Sequence, residues 1–172
     1  MIMPRGSQLL LPANPWFIAF SLIVALVIDM IPLGRLAWMP DALAVVLVFW
    51  GVHQPRRVGV LWAFVFGLAM DVHDGALLGQ HALAYSALSF GAVMLHRRLP
   101  WFSLGNQAVQ VLPLFVAAHL IALVVRMVVG GMWPGWGLLL APLLEAALWP
   151  LASLLLLAPQ RRAPDPDAHR PL

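Results

Sequence analysis

Apolar residues in this chain come in long blocks, broken by short polar or Pro/Gly-containing links. The blocks are too long and too uniformly apolar for the face-alternating pattern of a soluble helix, and they read as membrane spans. Six are expected, at residues 15–31, 41–53, 58–72, 75–95, 107–129 and 138–158. In the first, Asn14 is suited to cap the helix, Pro15 fits the first helical position, and Pro32 with Gly34 ends it. The second and third are short for a crossing, which needs about 20 residues, so a re-entrant hairpin is an alternative there. The link between them, "HQPRR", is of the kind that joins antiparallel helices. Residues 1–14 and 159–172 lie outside this domain, and the Pro-rich, polar C-terminal piece has nothing to bury and is expected to be disordered. The expected fold is therefore an all-α membrane protein, a six-helix transmembrane bundle.

Composition agrees with that reading. The 172 residues are 62% apolar and 10% charged, against about 45–50% apolar in soluble domains. There is no cysteine, which removes disulfides and thiolate chemistry. After Arg5, the first apolar run ends in "VIDMIPLGRL", without the small residues of a cleavage site, so an uncleaved span is expected.

The net charge of +3 is not a nucleic-acid signature, because it is all arginine and sits in the links. With six spans, Arg5, Arg56, Arg57, Arg97, Arg98, Arg161, Arg162 and Arg170 fall on one side, and only Arg35 and Arg126 toward the other. Positive charge marks cytoplasmic loops, so both termini are expected in the cytoplasm.

Polarity is concentrated in "MDVHDGALLGQHALAY", Met70 to Tyr85. Here the third span ends, the chain turns outside the cytoplasm, and the fourth span begins. Gly75 supplies positive φ for the turn, and Asp74 is placed to cap the fourth helix at its positive dipole end. Asp71 stands at the unfavourable end of the third helix. It continues the line of Gly59, Ala63 and Gly67, spaced by four, and small residues at that spacing let membrane helices approach closely. An acid buried at the head of such a seam needs a partner, a cation or helix-end amides, and Arg35 and Arg126 are the cations on its side. A metal site from Asp71, His73, Asp74 and His81 matches no established spacing, and no nucleophile stands beside a base here. No catalytic residue, metal ligand or cofactor motif is assigned.

Deeper in the membrane, His119 and Arg126 are seven apart on one face of the fifth span, and Glu145 lies in the sixth between them in depth. An interhelical Arg126–Glu145 ion pair is expected, with His119 one or two turns deeper. Structural glue and a functional role both remain open for it. Pro142 and Pro150 flank the acid and are expected to kink its helix.

The stretch "PDALAVVLVFWGVHQPRRVGVLWAFVFGLAMDVHDGALLGQHALAYSALSF", with Gly67, Asp71, Gly75, Gly79 and Ala82 and then "LHRRL", resembles the MreD family of integral-membrane rod shape-determining proteins of bacteria. The resemblance covers most of the chain to about Ala158. It implies a non-enzymatic component of the cell-elongation machinery in the inner membrane. The implied partners are MreC, MreB and the synthases of lateral-wall peptidoglycan, besides membrane lipid. The family is also similar, distantly, to the six-helix substrate-binding subunits of energy-coupling-factor transporters. A small-molecule-binding transporter subunit is accordingly the alternative function.

Overall fold

The computed structural model describes residues 13–31 and 38–160. Among them there are six α-helices: α1 (Pro15–Asp29), α2 (Ala42–His53), α3 (Val60–Asp74), α4 (Gln80–Leu95), α5 (Leu104–Val128) and α6 (Leu140–Leu157), with short 3-10 turns before α5 and on both sides of α6. Arg5, Arg35, Arg161, Arg162, Arg170 and the C-terminal tail from residue 161 lie outside the described residues.

The helix ends follow local chemistry. The Asn14 side chain accepts the N–H of Trp16, and Pro15 occupies the first turn, where its missing N–H costs nothing. Asp41 caps α2 through the N–H of Ala44. Gly75 closes α3 in the left-handed region at φ 59°, which only glycine adopts cheaply. The chain does not re-enter a helix there: α4 starts at Gln80, after Gly79 at φ 105°. Pro142 lies in the first turn of α6, where no intrahelical donor is lost, so it does not break the helix as expected; Pro150 is interior.

α2 is the centre of the bundle. It packs on α1, α4 and α6, while α3 lies on α4, and α5 bridges α4 and α6. Nine of its residues, Leu43 to Val45 and Leu47 to Val52, are buried. A helix apolar all round is one that neighbours enclose. Its contact with α4 is close: a Cβ on Gly51 would stand 3.0 Å from that of Ala92. Two buried tryptophans have their indole N–H satisfied, Trp50 by Ser21 Oγ at 2.8 Å and Trp149 by Gln107 Oε1 at 3.0 Å.

The outer surface is apolar. Trp16, Phe20, Leu61, Trp62, Leu83, Val109 and Leu155 all point outward and are more than half exposed. Apolar cover over every outer helix is a surface for lipid, not water. α5 and the segment Trp136–Gln160 are each long and apolar enough to cross a membrane. The 12 residues of α2 span only about 18 Å, short of the ~30 Å hydrocarbon core. Tyr85 and Glu145, each about five residues into its own helix, meet the start of α2. The N-terminus of the central helix is thus sunk about 7 Å below the ends of α4 and α6.

Candidate functional site

A sunken helix N-terminus poses a specific problem. Its first N–H groups have no intrahelical acceptor, and an unpaired amide is costly wherever lipid or protein encloses it. In this protein carboxylates do that work. Asp29, the last residue of α1, accepts the N–H of Ala42 at 3.0 Å through Oδ1 and of Leu43 at 2.7 Å through Oδ2. Asp41 Oδ1 accepts the N–H of Ala44 at 2.7 Å. Glu145, fully buried on α6, reaches across to accept the N–H of Asp41 itself at 3.1 Å. Four consecutive amides are therefore met by three acids from three different segments. The positive end of the α2 dipole faces all three. Tyr85, buried on α4, donates its hydroxyl to Asp41 Oδ2.

The same device recurs at α4. Asp71 is buried, and its two oxygens receive the N–H of Gly79 at 2.7 Å, of His81 at 2.7 Å and, more loosely, of Ala82 at 3.4 Å. The His81 ring adds Nδ1 at 2.9 Å from Asp71 Oδ1. So Asp71, misplaced at the C-terminal end of α3, is well placed for the N-terminus of α4. The helix-end amides are the partner an acid at this position requires, and His81 stands where a cation was expected. The seam below it is tight at Gly67, where an added Cβ would lie 2.6 Å from the Ala82 nitrogen. Ala63 is buried in the same line. Gly59 is different: it is the N-cap of α3, and a Cβ there would meet only Pro55 O at 3.8 Å, so it takes no part in the close approach.

Two expectations are corrected. Asp74 does not cap α4, because it is still the last residue of α3; its carboxylate lies 3.7 Å from His81 Nε2. Arg126 does not pair with Glu145. It is exposed near the end of α5, where a long side chain can carry its charge toward the membrane surface. The residue beside Glu145 is His119, with Nε2 3.4 Å from Oε1. The depth reasoning put Glu145 between the two, and the shorter side chain two turns earlier on α5 takes the contact. Among the described residues no group of His, Asp and Glu is arranged to hold a metal.

Sequence reasoning passed over Asp29 and Tyr85 and treated Asp41 only as a helix start. The signal for Asp41 was present, an acid before an apolar run. Nothing local marks Asp29, whose amide partners lie 13 and 14 residues on.

The family described as "rod shape-determining protein MreD" matches residues 12–158. The rod shape-determining protein MreD of Haemophilus influenzae is 28% identical over 144 residues, covering 82% of this chain and 89% of that protein. No solved structure matches the chain. The matched range takes in α1 to α6, and the chain belongs to the MreD family of rod shape-determining membrane proteins.

Proposed function

We propose that this protein is a non-enzymatic scaffold of the bacterial cell-elongation machinery. It would act in the cytoplasmic membrane as a six-span bundle with both termini in the cytoplasm, holding MreC and, through it, MreB and the synthases of lateral-wall peptidoglycan. The observation that carries this reading is the family match over residues 12–158. The use of its acids supports it: half-buried Asp29 and Asp41 and buried Asp71 and Glu145 are engaged by backbone amides of α2 and α4. That is the chemistry of a bundle built to keep one shape in lipid. The arginine pairs Arg56–Arg57 and Arg97–Arg98, exposed in the α2–α3 and α4–α5 connections, support the orientation.

The test is genetic and biochemical together. The gene should restore rod shape to a strain lacking its own MreD, and the tagged protein should recover MreC from solubilised membranes. Rounded cells despite normal protein levels, with no MreC recovered, would refute the scaffold. A small molecule retained through purification in place of MreC would turn the reading toward a transporter subunit.

A further inference from the structure

His119 on α5 and Glu145 on α6 stand side by side, Nε2 3.4 Å from Oε1. The other imidazole nitrogen fixes the chemistry of that contact. His119 Nδ1 lies 3.0 Å from the carbonyl oxygen of Phe115, one turn earlier. A carbonyl only accepts, so Nδ1 carries a hydrogen and donates it. In a neutral imidazole the second nitrogen is then a bare lone pair. An ionised Glu145 is likewise only an acceptor, and its Oε1 already takes the Asp41 N–H. Neutral imidazole and carboxylate would thus set two lone pairs against each other inside the bundle. One added proton turns the contact into an attraction. It can sit on Nε2, which then donates to the carboxylate, or on Glu145, which then donates to Nε2.

We propose that His119 and Glu145 form a proton-binding dyad, holding between them one proton more than a neutral imidazole and a carboxylate. The two forms have the same composition and differ only in where the hydrogen lies. The surroundings favour the bound proton. Asp29 from α1, Asp41 at the start of α2 and Tyr85 from α4 face this end of the bundle; Glu145 receives the backbone N–H of Asp41 but no hydrogen bond from any of their side chains. Both oxygens of Asp29 are taken by backbone amides, and Asp41 accepts from Ala44 and Tyr85. Glu145 Oε2 is buried with no hydrogen-bond partner among the described residues. A full negative charge on Glu145 beside the carboxyl groups of Asp29 and Asp41 is costly away from water, and the proton removes it. His119 is the more accessible member of the pair. Its side chain is 20% exposed, while that of Glu145 is 0% exposed. It opens on an apolar groove between α5 and α6 that is flanked by Trp133 and Trp136. This inference does not depend on the proposed cellular role.

The wild-type chain is its own reporter, because Glu145 is its only glutamate. Protein labelled with 13C-glutamate and 15N-histidine, reconstituted in lipid bilayers, gives one carboxyl signal. Its dipolar coupling to a histidine nitrogen identifies His119 among the histidines. At neutral pH we expect a carboxylic-acid shift for Glu145, or two protonated nitrogens on His119. A carboxylate shift together with a neutral His119 would overturn the proposal. On raising the pH, both signals should change with a single midpoint; two separate midpoints would also overturn it. Glu145→Gln should leave His119 as the neutral Nδ1–H form, and an imidazolium persisting in that variant would show that the proton does not belong to the pair.

Discussion

Glu145 Oε1 accepts the backbone N–H of Asp41 at 3.1 Å, so a residue 104 positions later completes the first turn of α2. The contact ties α6 to the central helix. Glu145→Leu strands the N–H of half-buried Asp41, which costs about 1–3 kcal/mol, and it removes the neighbour of His119. Glu145→Gln keeps an oxygen in place and should lose less, about 1 kcal/mol. Reversible unfolding in mixed micelles would measure both. Equal losses for Leu and Gln would mean that the hydrogen bond to Asp41 contributes little.

Arg126 supplies the control. It is exposed and makes no ion pair with Glu145, so Arg126→Leu should change stability by no more than about 0.5 kcal/mol. Combined with Glu145→Leu it should add nothing beyond the sum of the two. Recovery of stability in the double variant would revive an Arg126–Glu145 pair and contradict the geometry.

Asp71 is tested through its amides. Asp71→Ala leaves the N–H groups of Gly79 and His81 without their acceptor at the half-buried start of α4. At about 1–3 kcal/mol for each stranded donor, the variant should lose most of its folded population. Asp71→Asn, with one carbonyl oxygen, should fall between Ala and wild type. Membrane abundance and protease resistance would rank the three. An Ala variant as abundant and resistant as wild type would remove the cap from the account of α4.

Asp71 also shows what can and cannot be read from the sequence. The apolar blocks reveal the helices, because a span must be long and uniformly apolar wherever it packs. The seam from Ala63 through Gly67 to Asp71 is legible for a related reason: spacing by four fixes a face before any neighbour is known. The cluster at the start of α2 is not legible. Asp29, Asp41, Tyr85 and Glu145 come from separate segments, and only the folded bundle brings them to one turn of backbone. Pairing Glu145 with Arg126 failed because depth alone was counted. An arginine near a helix end can reach the surface, whereas His119 is held two turns further in, against α6.

Topology is open to direct measurement, because the chain has no cysteine of its own. Leu78 is exposed in the α3–α4 turn, at a position with no unusual backbone angle, unlike Gly75. Arg97 is exposed in the α4–α5 connection. A membrane-impermeant maleimide should label Leu78→Cys in intact spheroplasts and Arg97→Cys only after permeabilisation. Labelling of both from one side would contradict the placement of α4 as a span.

Gly67 and Gly59 lie on the same sequence line but in different environments, and that difference gives the last prediction. A methyl group at Gly67 would stand 2.6 Å from the Ala82 nitrogen and 2.8 Å from the His81 carbonyl carbon. These are backbone atoms at the start of α4 and cannot rotate away, so the helices must separate. Overpacking of this kind costs about 1–3 kcal/mol. The same separation draws Gly79 and His81 away from Asp71 and weakens the cap, so Gly67→Ala should act partly through that acid. Gly59→Ala meets nothing closer than Pro55 O at 3.8 Å. It should cost well under 1 kcal/mol, mainly through a poorer N-cap. Unfolding of the two single variants, and of Gly67→Ala combined with Asp71→Asn, distinguishes the mechanisms. The combined loss should be smaller than the sum of the separate losses, because both changes loosen the same contact. Strict additivity would mean that Gly67 and Asp71 hold α3 against α4 independently.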